Sequence, residues 1–316
     1  MKFINSNNNK RYYTLDYYYK RMFNQKIAKI SLNGGFTCPN KDGTKGVGGC
    51  IYCSKLGSGE YAGNINKSIT EQFYEVKEIM DKKWSNTKYI AYFQANTNTY
   101  ANINILKTKY EEALSLPNVI GLNIATRCDA INNECLKYLK ELNKRTYLTI
   151  ELGLQTIKEE TSNLINRGHT LEEFTEMVKL LRKNNINIIV HIINGLPYET
   201  KEDMLNTIKY LNKLDIQGLK IHMLCILKNT KLEKLYNKEH FHILTKAEYI
   251  DIVCDQLELL NDNIVIHRIC ADPKIDDLIE PKWVIKKFTV LNDIDKELAR
   301  RDTYQGFKNK KTYSEE

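Results

Sequence analysis

Cys38, Cys50 and Cys53 carry the clearest chemical signal in the chain, at spacings of eleven and two intervening residues. They stand in the run Gly34-Gly-Phe-Thr-Cys38-Pro-Asn-Lys-Asp-Gly-Thr-Lys-Gly-Val-Gly-Gly-Cys50-Ile-Tyr-Cys53, and the next cysteine along the chain is Cys128. A structural zinc ion takes four ligands, and a plain electron-transfer iron–sulfur cluster takes four thiolates. Three thiolates on a four-iron cluster leave one iron open to bind a substrate or cofactor directly. A zinc site completed by distant ligands is the alternative. Gly43, Gly46, Gly48 and Gly49 make a loop pliable enough to gather the thiolates. It is not a P-loop, because the Gly-Lys-Ser/Thr ending is missing.

Short runs rich in Ile, Val, Leu or Tyr predict strands at 26–32, 88–94, 119–126, 147–154, 187–193 and 218–224. Helical patterns between them predict helices at about 68–83, 104–116, 132–144, 171–184 and 201–214. Thr200-Lys-Glu-Asp203 resembles a capping box, whereas Thr70-x-x-Phe73 lacks the acid. Six strand–helix units imply an α/β fold with a parallel sheet, two units short of a closed barrel. An open partial barrel and a doubly wound sheet both satisfy this pattern, and both gather ligands at the C-terminal strand ends. After Leu224 the rhythm changes to a helix at 245–260, a strand at 264–268, an irregular stretch and a basic helix at 284–301. The division expected is a basic, aromatic N-terminal extension (1–25), a core (26–228) and a C-terminal α/β extension (229–316).

The 316 residues are 42% hydrophobic and 27% charged, which excludes a largely disordered chain. No apolar run approaches the roughly 18–20 residues that span a bilayer, and the N-terminus lacks an apolar signal region. No membrane association and a cytoplasmic location are expected. Eight cysteines there read as reduced thiols rather than disulfides. The net charge of +8 is concentrated at the two ends. Residues 1–30 carry seven Lys/Arg against Asp16, and residues 286–311 carry eight against four acids. Basic ends on a neutral body suggest a polyanionic partner; solubility alone is the other explanation.

The cysteine loop resembles that of radical S-adenosylmethionine (SAM) enzymes, with Tyr52 as the aromatic residue before the third cysteine. The long first gap is similar to that of the elongator catalytic subunit. Thr126-Arg-Cys-Asp129, Glu151-Leu-Gly-Leu-Gln155, Asn166-Arg-Gly-His-Thr170 and His191-Ile-Ile-Asn-Gly-Leu-Pro197 resemble that subunit's radical domain in order and spacing. Ile266-His-Arg268, Pro281-Lys-Trp283 and Arg300-Arg-Asp-Thr-Tyr-Gln-Gly306 resemble a compact single-domain bacterial radical group. No acetyltransferase domain like the elongator subunit's is expected after the radical domain. The resemblance implies a partial (β/α)6 TIM-like barrel, a 4Fe-4S cluster on Cys38, Cys50 and Cys53, and SAM at the open iron. Reductive cleavage of SAM then yields a 5′-deoxyadenosyl radical.

The resemblance also implies cofactor contacts. Gln94 and Asn96 follow the second strand, where the methionine amino group is held; a polar turn is the other explanation. Glu151 and Gln155 share a strand face with Gly153, which would leave room for a ligand. Gln155 and Arg167 map onto residues that hold the sulfonium and carboxylate, with Arg167 suited to a bidentate contact or else a surface charge. His191 and His222 stand late in their strands and face either the ribose or substrate, or only the core. Lys286, Lys287, Arg300 and Arg301 are the phosphate-binding candidates, because no acidic run offsets them. Tyr12, Tyr13 and Tyr17–Tyr19 interleave with Lys10, Arg11, Lys20 and Arg21, as in single-stranded RNA binding, or else cover the barrel. Cys128, Cys135, Cys225, Cys254 and Cys270 read as inert thiols.

The function expected is radical SAM chemistry on tRNA at the wobble uridine, with an electron donor such as flavodoxin or ferredoxin. A small-metabolite or protein substrate is one alternative. A zinc-stabilised RNA-binding protein is the other.

Overall fold

Short apolar runs buried on both faces form parallel strands, because only helices packed outside can cover the second face. In the computed structural model, which describes residues 3–6, 8–57, 59–84 and 87–309, each such run is a strand, and the first five are each followed by a helix. In chain order the elements are α1 (Leu15–Phe23), β1 (Ile27–Leu32), α2 (Ile69–Asp81), β2 (Lys88–Phe93), α3 (Ile103–Leu114), β3 (Val119–Thr126) and α4 (Asn133–Arg145). There follow β4 (Tyr147–Gln155), α5 (Glu159–Leu164), α6 (Leu171–Arg182), β5 (Asn187–Asn194), α7 (Lys201–Leu211) and β6 (Gly218–Met223). The remainder is β7 (Ile226–Leu227), α8 (Lys231–Glu239), α9 (Lys246–Leu259), β8 (Val265–Arg268), β9 (Leu278–Glu280) and α10 (Lys287–Arg300).

The main sheet runs β1-β2-β3-β4-β5-β6-β8, all parallel. It is curled. Lys29 on edge strand β1 lies 3.2 Å from Glu151 on central β4 and 3.3 Å from His267 on the opposite edge, β8. Those contacts fit a partial barrel and exclude an open, doubly wound sheet. The six core strands are joined in the sheet by the short strand expected at 264–268, β8, which follows the expected helix α9 and a further helix, α8, that the sequence pattern did not predict.

The N-terminal segment closes the bottom and one edge. Tyr18, Tyr19 and Phe23 of α1 pack against Ile27, Ile90 and Tyr147, at the starts of the strands. Ile266 on β8 donates its N–H to the Tyr13 carbonyl at 2.7 Å, so an edge that would otherwise be bare is covered. Tyr12 and Tyr19 are 5% and 3% exposed, which corrects the RNA-stacking expectation for these two rings. Capping boxes form at Thr200/Asp203, as expected, and at Ser68/Glu71, two residues ahead of the site judged to lack one. The basic helix begins later than expected, at Lys287, after a 3-10 turn at Lys282–Lys286. No helix among the described residues is long and apolar enough to cross a membrane.

Candidate active site

The eleven-residue gap folds away as a small hairpin. Asp42 and Val47 bridge antiparallel, the Gly43 N–H reaches the Gly46 carbonyl at 3.1 Å, and the Gly49 N–H returns to the Asn40 carbonyl at 2.7 Å. Gly43, Gly48 and Gly49 have φ of 92°, 77° and 73°, which side chains resist. Cys50 thus comes back beside Asn40, and the long spacing serves the same end as a short one.

Backbone bonds stitch this loop to the rest of the barrel mouth. The Ile51 N–H donates to the Ile165 carbonyl at 3.0 Å and the Leu232 N–H to the Ile51 carbonyl at 2.9 Å. Asn40 is 1% exposed; its Nδ2 donates to the Asn166 carbonyl at 2.6 Å and lies 3.6 Å from Cys50 Sγ. Its Oδ1 is buried with no partner. Arg127, at the end of β3, is held by Asp129 at 2.8 and 2.9 Å and by the Arg167 carbonyl at 2.7 Å. The hydrogen bond from Cys53 lowers the Cys50 thiol to about 6 against the effect of burial, helped by the Arg127 charge, Tyr52 and Asn40. The same bond, with burial, pushes Cys53 up.

This donor set fits a four-iron cluster: three soft thiols on one loop, a cation and an amide beside them, and no fourth thiolate. Among the described residues no three His, Cys, Asp or Glu converge on a point that could hold a single ion. A cubane does not need that convergence, since each thiolate binds a different iron. A tetrahedral zinc takes four ligands on one ion, and the cysteine loop itself supplies three. Burial pushes Cys128, Cys135 and Cys254 up to about 12 and Cys270 to about 11, as inert thiols require.

The expected cofactor residues fall on the same rim with altered roles. Asn96, at φ 60°, accepts from Lys41 Nζ at 3.0 Å, so its side-chain carbonyl ties the cysteine loop instead of facing a ligand. Gln94 lies part-buried just beyond β2. A register shift between Gly153 and Gln155, with Gln155 at φ 63°, breaks the regular alternation assumed for β4. A Cβ on Gly153 would meet Gln155 Nε2 at 2.5 Å, so the glycine makes room for that side chain and not for a ligand. Arg167 is 1% exposed, which removes the surface-charge alternative. Its Nη1 donates to the Leu154 and Thr156 carbonyls at 2.9 and 2.7 Å and its Nε to the His169 carbonyl at 3.0 Å. Nη2 alone is left without a partner, which permits a single-point carboxylate contact and excludes the bidentate one.

Below the rim lies a charged layer that the sequence reading missed except for Glu151, His191 and His222. Glu151, with a side chain 0% exposed, accepts from Asn123 Nδ2 at 3.0 Å and Lys29 Nζ at 3.2 Å on one oxygen. On the other it accepts from His191 Nε2 at 2.9 Å and Lys220 Nζ at 2.5 Å. Its lone pairs are all taken, so Glu151 is a counter-ion rather than a direct cofactor contact. His191 is part of this layer and so is engaged from below. Burial pushes the Glu151 carboxyl up, yet Lys220, Lys29 and His191 hold it well below the usual carboxylate range. Burial lowers Lys220 to about 7 against that attraction. Lys29 and Lys220 were legible as lysines inside apolar strand runs, an anomaly that the alternating pattern alone does not interpret.

Burial also lowers His169 and His191 to about 4 and holds His222 and His267 well below their usual value. On unfolding each regains its ordinary affinity for protons near pH 6.5. The contribution of these histidines to stability is therefore full above pH 6.5 and falls as pH drops toward 4, where unfolding takes up several protons. Urea unfolding of the apoprotein between pH 4 and 8 is expected to show this slope; a flat profile would contradict neutral, buried histidines.

Three of the four C-terminal phosphate-binding candidates have acidic partners in the structure. Lys287 donates to Asp272 at 2.7 Å, and Arg300 to Glu297 at 2.7 and 2.8 Å. Arg301 is bound to Asp251, Asp255, Glu258 and Glu297. The acids that offset them are far away in sequence or on the same helix, not in an adjacent run. Lys286 remains an exposed lysine.

The model of the Radical SAM superfamily matches residues 40–211, and that of the Radical_SAM C-terminal domain matches residues 216–300. The protein YtqA of Bacillus subtilis is 47% identical over 301 residues, 95% of this chain and 94% of its own. Elongator complex protein 3 of Bos taurus is 25% identical over 168 residues, 52% of this chain and 30% of that one. The solved structure of Elp3 from the archaeon Methanocaldococcus infernus superposes with a TM-score of 0.66 at 15% identity, over 89% of this chain and 64% of that one.

Proposed function

Because the chain belongs to the radical SAM superfamily, as an enzyme using a 4Fe-4S cluster and SAM, we propose that it modifies tRNA at the wobble uridine. The similarity to elongator complex protein 3, over half of the chain, carries this reading. The basic C-terminal helix does not, since its strongest charges are already paired.

Cys38, Cys50 and Cys53 would hold the cluster, which together with SAM would supply radical hydrogen-abstraction chemistry. The protein's own residues bind, orient and exclude water. Arg127 and Asn40 set the charge and hydrogen bonding around the thiolates. Gln94, Gln155 and the spare Nη2 of Arg167 hold SAM at the strand ends, and His222 faces substrate from the lumen. A flavodoxin or ferredoxin supplies the electron, and the enzyme works in the cytoplasm. Mass spectrometry of tRNA nucleosides from cells with and without this gene tests the substrate. A wobble uridine species that changes on deletion, and is restored by the wild-type gene but not by Cys53→Ala, is the expected result. Identical nucleoside profiles would overturn the tRNA reading.

A further inference from the structure

Glu151 cannot neutralise its surroundings. Lys29 and Lys220 flank one carboxylate, so with both lysines protonated the layer carries one positive charge beyond its counter-ion. On the β8 side Arg268 and Lys287 likewise share Asp272, at 3.5 and 2.7 Å. Lys220 gives two of its three N–H groups to Glu151 and to Tyr92 Oη at 3.1 Å. Lys29 gives two to Glu151 and His267 Nδ1. One N–H of each ammonium remains. The neighbouring His222 Nε2 is buried without a partner. Both lysines lie three residues below the last residue of their strands, about 10 Å beneath the mouth. The side chains of Lys29 and His191 are 17% and 20% exposed, so solvent reaches part of the layer, whereas Lys220 is 6% exposed.

We infer that the barrel lumen binds a carboxylate of the substrate between Lys29 and Lys220, with His222 beside it. One surplus charge matches a monoanion; a terminal phosphate carries nearly two. A carboxylate accepts the two spare ammonium N–H groups on separate oxygens, in charge-assisted bonds. SAM does not supply this group, because in this family its own carboxylate is taken by the open iron above the strand ends. The inference rests on the lumen being the substrate chamber of the proposed enzyme. The carboxylate belongs either to a free small molecule or to a nucleoside of the tRNA.

Acetate is the probe, with acetamide as its neutral isostere and chloride at equal ionic strength. In the cluster-loaded protein with SAM, acetate is expected to raise the melting temperature where acetamide and chloride do not. Lys220→Met leaves Lys29 and Glu151 as a balanced pair, so it is expected to fold and to weaken acetate binding at least tenfold. Lys29→Met is the second variant and Lys287→Met, outside the pair, the control that keeps the response. An acetate response unchanged in both Lys220→Met and Lys29→Met would overturn the inference. Bulk tRNA with its nucleoside carboxylates capped as amides separates the two sources. SAM cleavage stimulated by native but not amidated tRNA places the carboxylate on the nucleoside; equal stimulation by both places it on a free molecule. If no tRNA stimulates cleavage, the tRNA reading fails while the acetate result stands on its own.

Discussion

Replacing Cys53 by Ala is expected to give a folded protein that holds no stable four-iron cluster and forms no 5′-deoxyadenosine. The loop around Cys53 is held by backbone bonds from Gly49, Ile51 and the Ile51 carbonyl, none of which involves a thiol. Cys53 is also only part-buried, so the stability of the apoprotein should change by about 1 kcal/mol or less. Two thiolates cannot retain the cubane that three hold, and the iron that SAM needs is lost with it. Cys128→Ala is the matching control. Burial raises that thiol to about 12, so it is no ligand in waiting, and its removal should leave iron and sulfide content unchanged. Iron, sulfide and visible absorbance of the reconstituted variants check both. Full cluster content in Cys53→Ala would mean that the ligand assignment is wrong.

Glu151→Gln is expected to be the most destabilising single change in the barrel. It leaves Lys29 and Lys220 buried with no anion, and breaking a buried ion pair from one side costs roughly 3–5 kcal/mol, less what Lys220 recovers by giving up its proton. The neutral amide also cannot accept four hydrogen bonds. Lys220→Met in the same background removes one orphaned charge, so the double variant should be more stable than Glu151→Gln alone. That reversal separates charge imbalance from lost packing. Urea midpoints of the four proteins in the cycle measure it. A loss below about 1 kcal/mol for Glu151→Gln, or additive losses in the double variant, would show that the layer is solvated enough to need no counter-ion.

What the sequence discloses and what it hides divide along physical lines. The six core strands are legible because parallel strands covered by helices must be short apolar runs. The cysteine spacing declares its chemistry because ligand count does not depend on the fold. The role of α1 is hidden, since aromatic residues beside basic ones look alike whether they stack on a base or plug a barrel. β8 is legible as a short strand, but its place beside β6 in the main sheet is hidden by the two helices that separate them in the chain. Gln155 is misplaced by a bulge that no periodicity reveals. Arg301 looks unopposed along the sequence, yet its partners Asp251, Asp255 and Glu258 stand on α9, a whole strand and loop earlier. The Lys29–Glu151–Lys220 layer joins β1, β4 and β6, so it exists only once the sheet has curled.

The most direct test is 5′-deoxyadenosine formation by anaerobically reconstituted, dithionite-reduced protein, with and without bulk tRNA from cells lacking this gene. Formation that is stimulated by this tRNA, and absent in Cys53→Ala, is the expected result. A cluster-loaded protein that forms the product equally with and without tRNA would contradict the substrate, and one that forms none would contradict the radical chemistry itself.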